Sequence, residues 1–396
     1  MKKILILNGS HSEIPLVLAA KDLGLYVITT GNRPDLIGHT LSDEYHAVDY
    51  SDKDEVLSLG KRLQIDYICS CANDAGIITA AYVAEKLGLP GFDSYENTLI
   101  LHLKDRFKQF CKNKPIPTPK AFAAKNKQEA ILALENLTLP LIIKPTDMAG
   151  GKGVRKVENL AEVEKAINIA FYMSPSSRIV LEEFIVGSQH SFSTFIIDEK
   201  VKAYFSDNEF SSVNPYTVST SSYPADQIEL VEDTLINTSE FIAHELKLKN
   251  GVLHHQYILC NGKPYIIEIT RRCSGDLYPI PIKNSLGFFW AQWIVKMSMG
   301  HDGNAFPNSV QNGFGGRHCL QANRNGIIKS YEISDELRQY ITEEYTILKP
   351  GGVVTDYLYQ KLVVIILQFP DLETRNQITK NLANLAKVVV SDKSLS

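Results

Sequence analysis

Between residues 1 and 91, short β-branched runs alternate with amphipathic stretches. This switching between a two-residue and a 3.6-residue period constrains the fold more than any other feature of the chain. Ile4 to Leu7, Tyr26 to Thr29 and Tyr67 to Ser70 are predicted strands. The stretches 12–23, 52–64 and 75–87 carry apolar residues at helical spacing, with Gly24 and Gly88 where helix C-caps fall. Such alternation builds a doubly wound parallel α/β layer. Its first loop, Asn8-Gly9-Ser10-His11-Ser12-Glu13, lacks the three-glycine dinucleotide fingerprint, which counts against an NAD-linked oxidoreductase. Open parallel sheets still bind ligands beyond the carboxyl ends of their strands, where this loop and the turn Cys71-Ala72-Asn73-Asp74 are expected to meet.

A second unit is expected from about residue 97. Lys104-Asp105-Arg106-Phe107 lies on a predicted helix, and Pro115-Ile116-Pro117-Thr118-Pro119 reads as an extended connector. Strands are predicted at 139–143, 155–158 and 178–182, with a helix at 159–171. From 190 to 280 the pattern is β-rich and includes a hairpin, Gln256 to Cys260, Asn261-Gly262, then Tyr265 to Ile269. The Ser-, Asn- and Thr-rich stretch 206–224 reads as a mobile loop and candidate lid. Residues from 305 onward, with a strand-like run from Leu362 to Gln368, read as a final α/β subdomain. The expected division is 1–96, 97–187, 188–304 and 305–396.

Composition narrows the partners. With 41 basic and 45 acidic residues among 396, the formal charge of -4 does not favour nucleic acid or an acidic membrane. The apolar run after Met1-Lys2-Lys3 is too short for a signal peptide and is broken at Asn8-Gly9, so it reads as a buried first strand. No stretch approaches the roughly 18 apolar residues of a membrane helix. Six scattered cysteines form neither a disulfide framework nor a zinc pattern, and a reducing cytoplasm is the expected location.

Three separated stretches carry candidate chemistry. In LIIKP with AGGKGV, Lys144 leaves a strand end and Gly150-Gly151-Lys152-Gly153 follows; either the lysine is a strand-end charge in water, or the pair is a cation and a backbone flap for phosphate. The frame is not a Walker A loop. In VLEEFIVG, Glu182-Glu183-Phe184-Ile185 is either solvated charge at a strand end or a hinge presenting backbone to a base. In PYIIEITRR, Glu268 sits inside an apolar run and needs a partner; a metal and a structural ion pair with Arg272 are equally good readings.

Taken in order and spacing, Lys104, Lys144, the glycine loop, the 182–185 hinge, and Glu268 with Arg272 resemble the ATP-grasp ligases, such as biotin carboxylase and the large subunit of carbamoyl phosphate synthetase. The resemblance implies an N-terminal α/β domain followed by an ATP-grasp fold of two α+β subdomains. It implies that Lys104 and Lys144 hold ATP phosphates under the flap of Gly150, Gly151, Lys152 and Gly153. Glu182 and the backbone of Glu183 and Ile185, with Phe184 between them, would read adenine. Glu268 would bind magnesium, or manganese in its place, and Arg272 would orient the carboxylate or acyl phosphate. Departures accompany it. Gln256 and Thr270 stand where relatives carry an acid and an asparagine, which removes one negative charge from the metal site, and Gln189 or His190 replaces a ribose-binding acid. His254 and His255 alternate in direction, so one of the two is structural; His255, Arg317 and His318 are carried as acceptor-side candidates. The expected activity joins a carboxylate, activated as an acyl phosphate, to an amine, with an amino acid among the substrates. The alternative is a degenerate nucleotide-binding sensor or partner subunit. A homodimer is left open.

Overall fold

The computed structural model describes residues 1–391. Its N-terminal sheet has four parallel strands in the order Glu44–His46, Tyr26–Thr30, Lys3–Leu7, Tyr67–Ser70. Both faces of this sheet are covered, as a parallel sheet requires. Leu5, Leu7, Ile28 and Ile68 pack with Val56, Leu59, Ala80 and Val83 on one side. On the other, Ile4, Ile6, Val27 and Cys69 pack with Leu16, Val17 and Ala20, and also with Trp290, Trp293 and Val295 from the later helix Trp290–Ser298. That shared core fixes the first domain to the rest of the molecule, and the loop at 8–13 comes to lie against 273–276. The Ser12 hydroxyl accepts from the Asp276 N–H at 2.9 Å, and the Ala72 N–H donates to the Cys273 carbonyl at 3.2 Å.

Glu13 in this loop is fully buried, and its carboxylate accepts from the Ser10 N–H (2.9 Å) and hydroxyl (2.6 Å). Burial pushes its carboxyl up to about 8 despite those bonds. A folded-state value above the ordinary 4.5 means the native state holds the proton more tightly. The contribution is therefore full below 4.5 and is lost as pH rises toward 8. Glu13→Gln should gain roughly 2–4 kcal/mol relative to the parent between pH 5 and 8, measured by denaturant midpoints; a pH-independent difference would contradict this assignment.

A small antiparallel sheet follows, in the order Ala121–Ala124, Ile179–Glu183, Leu141–Pro145, Arg155–Val157. The helices Lys127–Leu134 and Leu160–Met173 cover it through Ala130, Val163, Ile167 and Ala170. The chain then crosses at Phe184–Gly187 into an eight-stranded sheet ordered Lys263–Thr270, Gly251–Cys260, Ser188–Ile197, Lys200–Phe210, Thr220–Tyr223, Phe314–Leu320, Val363–Phe369, Ile341–Thr346. The expected hairpin is present, its turn carried by Asn261 and Gly262 at φ 50° and 70°. Among the described residues no helix is long and apolar enough to cross a membrane.

Three expectations change. About half of the stretch 206–224 is strand: it includes the end of Lys200–Phe210 and all of Thr220–Tyr223, both interior strands, and the loop is confined to the turn at 211–219 and Pro224. Its polar side chains bond each other inside the protein, as Asn208 does with Ser222 at 3.1 Å, so its composition reflects a buried polar sheet. Within the β-rich region a helix, Glu232–Leu246, packs Leu235, Ile242, Ala243 and Leu246 onto Phe192, Leu253 and Ile266. Beyond 305, Phe314–Leu320 and Val363–Phe369 re-enter the central sheet, and only Val353–Val354, Gly326–Ile333 and Ala386–Val390 form a separate one.

Candidate active site

Strand register puts the chemistry on one face of the central sheet. Glu268 lies opposite Gln256, Gln256 opposite Ser191 and Ser191 opposite Asp207; Glu209, Ser221 and Arg317 form a second row. Because side chains alternate, the residues between these face the helix Glu232–Leu246 instead. His255 is one of them: it is fully buried, 2.9 Å from the Ser239 hydroxyl and edge-on to Phe192. It is the structural member of the histidine pair, which corrects its placement as a substrate contact. His254 is on the polar face, 2.7 Å from the Ser193 hydroxyl and 3.1 Å from that of Ser274. Burial lowers both imidazoles to about 3, so both are neutral at pH 7. His318 likewise points away from Arg317 and bonds the Thr220 hydroxyl at 2.7 Å, so the two do not act together.

Where the small sheet meets this face, lysines gather. Lys144 is buried and ion-paired to Glu182, and the other Glu182 oxygen lies 3.1 Å from Lys108. Burial opposes charge on Glu182, but Lys108 and Lys144 outweigh it and hold the carboxyl below its ordinary value. Lys144 is shifted down by burial and by the neighbouring Lys108 and Lys104, although Glu182 pulls the other way. Lys104 lies 2.8 Å from Glu268 and donates to the Met148 carbonyl at 3.0 Å. Burial works against its charge, yet Glu268 more than compensates and the ammonium titrates above its ordinary value. Three lysines thus share two carboxylates, leaving one positive charge in surplus. Lys108, one helical turn beyond Lys104, was missed in the sequence; the i, i+4 spacing of the two lysines was the available signal.

The Glu182 carboxylate is held by these lysines and its backbone lies within the sheet, between Ala121 and Ile142, so Glu182 itself is not placed to read a base. The Glu183 N–H donates to Lys120 and the Phe184 N–H to Pro140, both at 2.9 Å. The ring of Phe184 lies 4.4 Å beneath the Lys156 ammonium, and Ile185 is half-buried in the crossing segment. The crossing is tight: a Cβ on Gly187 would lie 2.1 Å from the Leu259 carbonyl oxygen. The flap rests on the 211–219 turn. Thr217 donates to the Gly150 carbonyl at 2.9 Å, the Lys156 N–H donates to the Tyr216 hydroxyl at 2.8 Å, and a Cβ on Gly151 would meet the Tyr216 carbonyl oxygen at 2.3 Å. Gly150, Gly151 and Gly153 all have φ between 66° and 74°. Lys152 is exposed, 5.7 Å from the Tyr359 ring.

Arg272 does not pair with Glu268. Its Nε donates to Asp74 at 2.6 Å, and Asp74 also meets His102 Nδ1 at 3.1 Å, while His102 Nε2 accepts from the Arg271 N–H at 3.0 Å. Burial opposes the Arg272 charge, but Asp74 overrides it and keeps the guanidinium above its ordinary range. The first domain therefore aims this arginine. Gln256 and Gln189 both donate to one Glu209 oxygen, at 2.8 and 2.9 Å. Burial, followed by the neighbouring Asp207, pushes the Glu209 carboxyl up to about 7. Thr270 is 3.4 Å from the Arg272 carbonyl. Among the described residues no group of three or more His, Cys, Asp or Glu side chains could hold a metal.

Residues 103–277 match the sequence family described as phosphoribosylglycinamide synthetase, ATP-grasp (A) domain. A formate-dependent phosphoribosylglycinamide formyltransferase from Prochlorococcus marinus (strain NATL2A) is 27% identical over 187 residues, which is 46% of this chain and 48% of that protein. The match thus spans about half the length of this curated relative. Among solved structures, phosphoribosylglycinamide synthetase from Anaerococcus prevotii superposes with a TM-score of 0.78 at 23% identity, covering 98% of this chain and 100% of that one. The L-amino acid ligase from Bacillus licheniformis gives 0.81 at 17% identity, covering 99% of each. At these identities the two superpositions speak for the fold.

Proposed function

We propose that this chain, which carries an ATP-grasp domain, is an ATP-dependent ligase that activates a carboxylate as an acyl phosphate and couples it to an amine, an amino acid being among its substrates. The observation that carries the reading is the surplus positive charge of Lys104, Lys108 and Lys144 over Glu182 and Glu268 beneath a glycine flap. Buried cations in excess attract a polyanion, and a triphosphate in that position would relieve their mutual repulsion. The flap excludes water, which protects an acyl phosphate from hydrolysis.

Glu268, with Gln256 opposite it, would hold magnesium or manganese. One carboxylate and one amide oxygen suit a cation that arrives with the nucleotide and takes its remaining ligands from phosphate oxygens and water. The metal would neutralise charge on the transferring phosphoryl group. The chain's own residues do the rest. Lys144 and Lys104 bind phosphate oxygens, and Arg272, fixed by Asp74, faces the acceptor carboxylate. No covalent protein nucleophile is required, because in-line transfer depends on alignment and charge neutralisation.

Gln256 and Thr270 favour the second reading, a nucleotide-binding sensor or partner subunit, since together they leave the metal site one negative charge weaker. ADP release measured with ATP and magnesium across pooled amino acids and small carboxylates separates the two. A ligase releases ADP only with a particular carboxylate and amine, whereas a sensor binds ATP and releases none with any pool.

A further inference from the structure

Among the described residues, other acids around this part of the molecule have a cation in contact. Glu268 has Lys104, Asp74 has Arg272 and Asp276 has Lys361. Asp207 and Glu209 have only neutral donors. Asp207 Oδ1 accepts from the hydroxyls of Ser191 and of Tyr278, the latter at 2.8 Å, and Glu209 accepts from the amides of Gln189 and Gln256. Asp207 Oδ2 is buried without a hydrogen-bond partner among the described residues, while the Ser221 side chain on the adjoining strand lies near the carboxylate and eases its ionisation. A second group on this face is only partly satisfied: Arg317 Nη1 lies 3.7 Å from an Asp276 carboxylate oxygen that Lys361 also contacts. Arg317 is 3% exposed, its Nη1 donates to the Gly275 carbonyl at 2.6 Å, and its Nε bonds to nothing among the described residues. Its guanidinium lies 5.4 Å from the centre of the Tyr278 ring, and the hydroxyl of that ring is on Asp207. Tyr278 therefore ties the anionic and cationic halves together.

We infer that this cluster is the subsite for the amine-bearing reactant, a free amino acid whose ammonium lies between Asp207 and Glu209 and whose carboxylate is taken by Arg317. The inference rests on the ligase reading and places the amino acid of that reading on particular residues, as the amine-bearing reactant. An ammonium supplies the three donors and the positive charge these two carboxylates lack, and Arg317 has donor capacity left for an anion. Gln189 and Gln256 then act as neutral braces that hold Glu209 toward the ligand. The turn at 211–219, just beyond Glu209, carries the flap, which places this cluster close to the nucleotide side of the site.

The test uses the full chain with a non-hydrolysable ATP analogue and magnesium, titrated calorimetrically with each proteinogenic L-amino acid and with its N-acetyl derivative. At least one free amino acid should bind, its N-acetyl form should bind at least about tenfold more weakly, and Glu209→Gln and Asp207→Asn should each lose a similar factor. Analogue affinity, read separately, should stay unchanged in Asp207→Asn, and the thermal midpoint of each variant reports that it is folded. Equal binding of free and acetylated forms, retention of affinity in both variants, no binding by any amino acid of the panel, or a cluster that responds to magnesium alone would each overturn the inference. Ammonium-dependent binding, with no ADP release on any added carboxylate when ATP replaces the analogue, would instead remove the ligase reading and leave the subsite standing.

Discussion

Glu268→Gln should lower carboxylate- and amine-dependent ADP release by about 10²–10³-fold while leaving the fold in place. The carboxylate sits at a strand position facing the lysines, and the neighbouring oxygen donor, Gln256, is neutral, so no second acid stands directly beside it to hold the metal. Its side chain is 30% exposed, so its removal costs little stability beyond the 2.8 Å contact with Lys104. Turnover at fixed ATP, with magnesium varied, checks the prediction. The variant should need more magnesium as well as turn over more slowly, and an unchanged rate would mean that Glu268 serves only as the Lys104 counter-ion.

Glu182→Ala should act in the opposite way, through stability first. Both Lys108 and Lys144 lose their only carboxylate among the described residues, and each is at least nine-tenths buried by side chain. Leaving buried charge unpaired costs about 3–5 kcal/mol. The first denaturant transition should move accordingly, and an anion such as pyrophosphate should recover part of the loss by taking the place of the carboxylate. A loss under about 1 kcal/mol would mean that water already reaches both ammonium groups.

The sequence disclosed residues whose chemistry conflicts with their surroundings. Glu268 inside an apolar run and Lys144 at the end of one stand out because burying them demands a partner, and both have one. The parallel N-terminal layer was equally readable, since its strand and helix periods differ. Asp207 and Glu209 were hidden for the converse reason. In Ser206-Asp207-Asn208-Glu209 both sheet faces are polar, Asn208 bonding Ser222 behind while Asp207 meets Ser191 and Tyr278 in front, so no alternation marks a strand. The helix Glu232–Leu246 had a legible stripe, Leu235, Ser239, Ile242, Ala243 and Leu246, overridden by the strands on either side. Pairings across domains, above all Asp74 with Arg272, lie 198 positions apart and have no local signature.

The central claim is that a substrate carboxylate receives the γ-phosphoryl group. Once pooled assays have identified a carboxylate that stimulates ADP release, that compound labelled with oxygen-18 in its carboxyl group is the most direct probe. The account predicts that released phosphate carries one carboxyl-derived oxygen-18, that labelling requires the amine for turnover, and that Glu268→Gln suppresses both together. Unlabelled phosphate accompanying ADP would contradict it, because the phosphoryl group would then have gone to water and the chain would be a nucleotide hydrolase or sensor.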